Sequence, residues 1–156
     1  ISTILHVLHI GTSHHLHLYY RSSATGATHS FVCVKCDAGK FNPVTGASAC
    51  EDCPQGSYSS DGMACVLCPA GSSQPNSGAT SHTACLIAPA GKFVALPGSS
   101  AAKDCVAGTY SPNDGASVCL VCPQGKISSA GTSACTDCGS GSFSAAGSTE
   151  CQSCSA

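Results

Sequence analysis

From Cys33 onward the chain repeats one signature: Cys-x-x-Cys, a Gly a few residues on, then a turn-rich stretch ending at the next cysteine. Complete junctions stand at Cys33/Cys36, Cys50/Cys53, Cys65/Cys68, Cys119/Cys122, Cys135/Cys138 and Cys151/Cys154. Two are incomplete, with Cys85 followed by Ala88 and Ala102 followed by Cys105. So short a period constrains the fold more than any other feature, because a unit of that size cannot bury a core alone and must stack on its copies. The repeats are read as tandem cysteine-rich units over residues 26–156, behind a divergent His-rich segment at 1–25.

The spacing also predicts how the cysteines are joined. From the second cysteine of one junction to the first of the next, separations are 14, 12 and 17 for Cys36–Cys50, Cys53–Cys65 and Cys68–Cys85. They are 14, 13 and 13 for Cys105–Cys119, Cys122–Cys135 and Cys138–Cys151. Ala88 and Ala102 are also 14 apart, so the two absent cysteines are the ends of one expected loop whose disulfide has been lost. Those six pairs are the expected disulfides. Each would close a loop of about 15 residues, for which chain entropy gives roughly 3 kcal/mol. Cys33 and Cys154 are left unpaired, one looking upstream and the other downstream, as expected of an array that continues. "TGATHSFVC", ending at Cys33, resembles "SGATSHTAC", ending at Cys85, as the second half of a preceding repeat would. The unit between Ala88 and Ala102, lacking its clasp, is expected to be the most pliable joint.

Staples are needed because hydrocarbon is scarce. After residue 32 only 16 Leu, Ile, Val and Phe occur in 124 positions, too few to offset a backbone ordering cost of about 1–2 kcal/mol per residue. Fourteen cysteines placed this regularly indicate an oxidising compartment, hence an extracellular or cell-surface protein. The formal charge of −2 and six scattered Lys and Arg leave no basic stripe, which argues against nucleic acid. No apolar run approaches the roughly 20 residues that span a bilayer. "ISTILHVLHIG" lacks a basic leader region and a clear cleavage site, so the chain reads as a fragment or processed piece.

Gly, Ser, Asn and Pro disfavour helix, and no stretch has a 3.6-residue apolar period. Each unit is expected to form a small hairpin around a turn: "NPVTG", "SSDG", "PNSG", "LPG", "PNDG", "SSAG" or "SAAG". One strand would follow the first Gly and the other would run into Gly-x-x-x-Cys. Five units place an aromatic two residues after the first Gly, at Phe41, Tyr58, Phe93, Tyr110 and Phe143, with Ser73 and Ile127 as the exceptions. These rings are expected to pack over the neighbouring disulfide as a minimal core rather than to form a ligand-stacking ladder. The fold class is therefore small and disulfide-rich: an extended tandem array of short β-hairpin repeats with little regular secondary structure. Each unit is expected to touch mainly its neighbours.

"CPQGSYSSDGMACVLCPAG" and "CVAGTYSPNDGASVCLVCPQG" resemble the cysteine-rich repeats called ephrin-receptor-like, related in pattern to tumour-necrosis-factor-receptor and EGF-like modules. The resemblance covers roughly residues 26–156, and the unit with Ala88 and Ala102 departs from it. It implies extended extracellular arrays in receptor stalks and large surface proteins, many from algae and other protists, some similar to components of mastigonemes, the flagellar hairs. The family brings no catalytic residues, so none is assigned and no enzyme is expected.

Zinc is the main rival, since Cys-x-x-Cys pairs at this separation also suit a zinc ribbon. Cys33, Cys36, Cys50 and Cys53 make one full set and Cys135, Cys138, Cys151 and Cys154 another, but the middle sets keep only three sulfurs each. One lost disulfide explains the gaps more simply than two damaged metal sites. His6, His9, His14, His15 and His17 make a copper, nickel or zinc site conceivable, but without acidic or cysteine partners the bland reading of a divergent segment is preferred. No thioredoxin-like pattern, Ser-His-acid set, EF-hand loop or N-glycosylation sequon is present. No cofactor is assigned, and O-linked glycan on Ser and Thr stays open. The leading expectation is a structural segment of a large extracellular protein, a rigid spacer or filament subunit, at the flagellar surface for example. Its partners would be copies of itself or other filament or surface proteins. The alternative is a receptor or adhesion ectodomain that binds a protein ligand.

Overall fold

A computed structural model describes residues 18–20, 31–33, 35–42 and 49–155. The five N-terminal histidines and the turn beyond Asn42 lie outside the described residues. The expected fold class is met, with six disulfides and seven successive two-stranded hairpins. Upstream of them β1 (Leu18–Tyr20) pairs with β2 (Phe31–Cys33). Then β3 (Lys40–Phe41) pairs with β4 (Glu51–Asp52), β5 (Ser57–Tyr58) with β6 (Val66–Leu67), and β7 (Ser72–Ser73) with β8 (Leu86–Ile87). β9 (Lys92–Phe93) pairs with β10 (Lys103–Asp104), and β11 (Thr109–Tyr110) with β12 (Leu120–Val121). Last come β13 (Lys126–Ile127) with β14 (Thr136–Asp137), and β15 (Ser142–Phe143) with β16 (Gln152–Ser153). All pairs are antiparallel, and the only helical turn among the described residues is His82–Ala84.

The second strand lies one step beyond its expected place, in the two residues between the cysteines of each junction. The residues ahead of the cysteine belong instead to the turn and to bonds with other units. Each first strand is launched by the same tight turn. In unit 2 (residues 53–65) the Ser57 amide donates to Pro54 O at 3.2 Å, with Gly56 third in the turn at φ +83°. A positive φ at that place is the type II pattern, which favours Gly.

Units 1 to 7 run over 36–50, 53–65, 68–85, 88–102, 105–119, 122–135 and 138–151, and a recurring set of backbone hydrogen bonds joins them. The opening Gly of one unit donates to the carbonyl just after the aromatic position of the next, as from Gly56 to Gln74 at 2.8 Å and from Gly91 to Ser111 at 2.9 Å. From unit 3 on, the mid-loop Gly donates back to the opening residue of the preceding unit, as from Gly78 to Cys53 at 2.8 Å and from Gly147 to Cys122 at 2.9 Å. Contact does not stop at the neighbour, as the sequence led us to expect. A Cβ placed on Gly56 of unit 2 would stand 1.9 Å from the carbonyl oxygen of Gly98 in unit 4, and one on Gly91 of unit 4 would stand 2.2 Å from that of Gly131 in unit 6. Bare backbone at the opening Gly lets units 1 to 5 reach the next but one.

Burial also differs from expectation. Phe41, Tyr58, Phe93 and Tyr110 are half-buried and Phe143 is exposed. The position after the aromatic is buried in every unit: Ser59, Ser111, Ser128 and Ser144, with Asn42, Gln74 and Val94 in the others; Ser57, Ser72 and Ser73 are buried as well. Side chains alternate along a strand, so the residue after the aromatic turns away from the ring, and its backbone carries the inter-unit bond. The interior is made of sulfur, hydroxyl and backbone, with Cys53, Cys68, Cys105, Cys122, Ser59 and Ser111 among its most buried members. Small side chains fit there because successive units lie within hydrogen-bond distance.

Unit 4 is filled differently. Ala88 and Val94 are buried, at 1% and 2% exposed, so hydrocarbon occupies the one unit without a disulfide. Val94→Ser is expected to lower stability by about 1.5–3 kcal/mol, the worth of a buried Val side chain. Thermal unfolding checks this. Because Ser occupies the same position in four other units, the backbone accommodates it, and an unchanged melting temperature would refute the assigned role.

Candidate functional site

Disulfides join Cys36 to Cys50, Cys53 to Cys65, Cys68 to Cys85, Cys105 to Cys119, Cys122 to Cys135 and Cys138 to Cys151, with Cα separations of 5.6–5.8 Å. Three sulfurs of each complete zinc set, Cys36, Cys50 and Cys53 in one and Cys135, Cys138 and Cys151 in the other, are thereby engaged, and neither set retains four thiolates. Among the described residues no group of three or more His, Cys, Asp or Glu is placed to hold a metal ion. Cys33 ends β2. Cys154 is free and exposed, and its amide donates to Gly141 O at 2.8 Å, in the register of the other second-position cysteines.

Ala88 and Ala102 occupy clasp positions. Ala88 stands four residues before β9 and Ala102 one before β10, the offsets that Cys105 and Cys119 have from β11 and β12. Ala88 also makes the backbone bonds of a junction cysteine, donating to Gly71 O at 2.9 Å and accepting from the Gly115 amide at 2.7 Å. The hydrogen-bond frame of the repeat therefore persists without the sulfur.

Three cross-strand ion pairs stand among the described residues. Lys40–Asp52 and Lys92–Asp104 meet at 2.5 Å and Lys126–Asp137 at 2.6 Å, each between residues directly opposite in a hairpin. All are substantially exposed, and exposed pairs contribute little. The hydrogen bond to Asp52, and then that carboxylate's charge, raises the Lys40 amine above its ordinary pKa. A raised amine pKa stabilises the fold below the unfolded value and is lost as pH rises through the folded one. The pair is therefore expected to be intact at neutral pH and to weaken only in strong alkali, which the pH dependence of melting checks.

The surface feature that stands out is apolar. Between junction cysteines the second strands present Val66 and Leu67, Leu86 and Ile87, and Leu120 and Val121, all exposed. Other junctions carry polar pairs at the same place: Glu51–Asp52, Lys103–Asp104, Thr136–Asp137 and Gln152–Ser153. The signal was legible as the two residues inside Cys-x-x-Cys, but their exposure follows from the hairpin and could not be assigned before it. A concavity of about 550 Å³ lies beside Ile87, lined also by Pro69, Ser72, His82, Thr83 and Asp114. Its polar groups are engaged in structure: His82 meets Tyr58 edge-on at 5.8 Å and Asp114 accepts from the Ala90 amide at 2.8 Å. No helix among the described residues is long and apolar enough to cross a membrane.

No curated protein matches the chain. Residues 56–105 match the family described as tyrosine-protein kinase ephrin type A/B receptor-like, a match that runs through the unclasped unit 4. With its serial disulfides and hairpins, this segment is similar to ephrin-receptor-like cysteine-rich repeats, and its bonded cysteines suit an oxidising compartment.

Proposed function

We propose that the chain is a structural segment of a large extracellular protein, a rigid spacer or filament subunit such as part of a flagellar hair. It is a non-catalytic tandem array over residues 26–156, behind the divergent segment at 1–25. The observation that carries this reading is the coupling of units 1–6 to the next and of units 1–5 to the next but one, through bonds such as Gly56 to Gln74 and close approaches such as Gly56 to Gly98. An array held along its whole length resists bending at any single junction, as a spacer must. Its partners are then proteins, copies of itself or other filament and surface components, with O-linked glycan on exposed Ser and Thr.

A receptor or adhesion ectodomain is the second reading, favoured by the exposed aliphatic pairs at Val66–Leu67, Leu86–Ile87 and Leu120–Val121, which a protein ligand could cover. Negative-stain imaging of native material separates the two. Fibres or long uniform strands are expected for the first, whereas isolated particles would transfer support to the receptor.

A further inference from the structure

We infer that unit 4, residues 88–102, is a tension-released joint: the one of the seven units through which the oxidised array can lengthen under load. In the other six units a covalent clasp carries any pull across the loop, so the span between its ends stays at the 5.6–5.8 Å Cα separation of the bonded cysteines. In unit 4 only non-covalent contacts bridge the same two positions. These are the pairing of Lys92 with Asp104 and of Phe93 with Lys103, one exposed ion pair, and the burial of Ala88 and Val94.

The joint is closed at rest and locked from both sides. Gly71 donates to Val94 O at 2.8 Å and Gln74 to Ser99 O at 3.1 Å, while Gly98 donates to Cys68 O at 2.9 Å. On the other side Gly91 donates to Ser111 O at 2.9 Å and Val94 to Ala116 O at 3.0 Å. Units 2 and 6 approach it too, through Gly56 against Gly98 and Gly91 against Gly131. Opening unit 4 therefore undoes contacts with four units at once, giving a single cooperative event rather than gradual stretching. The 14 steps from Ala88 to Ala102, at about 3.3–3.6 Å each, would lengthen the chain by roughly 40–45 Å beyond the span of a clasped loop. The elastic property stands on the geometry alone, and only its use in bearing load rests on the spacer reading.

The test is single-molecule stretching of the full chain, gripped at residue 35 and at the C-terminal end without reductant, so that the unclasped β1–β2 hairpin lies outside the pulled span. One lengthening step of roughly 40–45 Å is expected. It should vanish in the Ala88→Cys/Ala102→Cys variant, whose restored bond is verified by mass. A step that survives in that variant, or its absence from the unaltered chain, overturns the inference. Should the bond fail to form, Val94→Ser keeps the loop unclasped and is expected to lower the opening force at unchanged step length; an unchanged force overturns the inference equally. Imaging that shows isolated particles would sink the spacer reading while leaving this step intact, so the two failures are distinguishable.

Discussion

Gly56→Ala is expected to cost roughly 2–5 kcal/mol and Gly125→Ala only about 1–2 kcal/mol, although the two glycines have the same backbone angle. Both sit at φ above +80°, where an alanine pays the left-handed penalty. They differ in what stands opposite: Gly56 faces unit 4, whereas Gly125 opens unit 6 and the described residues hold no eighth unit for it to meet. The new methyl on Gly56 would lie 1.9 Å from the Gly98 carbonyl oxygen and 2.4 Å from its carbon, whereas nothing lies within 4 Å of the same atom on Gly125. Backbone cannot move aside as a flexible side chain does, so the clash must push unit 4 away from unit 2. Thermal unfolding of the two oxidised variants side by side is the measurement. Equal losses would mean that contact between next-but-one units contributes nothing and that only the turn needs glycine.

Replacing Cys105 and Cys119 together by alanine is expected to destabilise the array by about 2–4 kcal/mol. The substitution copies in unit 5 what stands at Ala88 and Ala102, but without a buried Val: the position after the unit 5 aromatic is Ser111, fully buried. Units 4 and 5 would then be adjacent and both unclasped. Denaturant unfolding with and without reductant reads the effect. A loss below about 1 kcal/mol would show that backbone hydrogen bonding between units, rather than the covalent loops, sets stability. Together with the glycine pair, this experiment apportions the stability between sulfur and backbone.

The fold class was legible because cysteine at a fixed period, with Gly and Pro between, admits few alternatives to a serial disulfide array. The six mid-loop glycines within the described units, such as Gly78 and Gly98, were also read as turn residues, and all have positive φ. The aromatic positions misled. Phe93 and Tyr110 look like core residues by type, but the neighbouring unit covers the next position, where Ser111 is the fully buried residue. Composition could not show this, because serine is common on surfaces too. The exposure of the apolar pairs at Val66–Leu67, Leu86–Ile87 and Leu120–Val121 was not legible either, since by residue type alone such pairs resemble core segments. They are exposed because a two-residue strand in a two-stranded hairpin has no second layer to pack against.

The sequence by itself determined the repeat, the disulfide-rich hairpin class and the resemblance to ephrin-receptor-like repeats, since these depend on residue types at fixed spacing. Tertiary structure decided which face of each hairpin is covered, that units reach past their neighbours, and that Val94 fills the unclasped unit. The reason is physical. Contacts between units run mainly through backbone amides, carbonyls and bare glycine, which leave little mark on residue type. A glycine in the sequence signals a left-handed turn and a close approach with the same letter, and only coordinates show that Gly56 serves both.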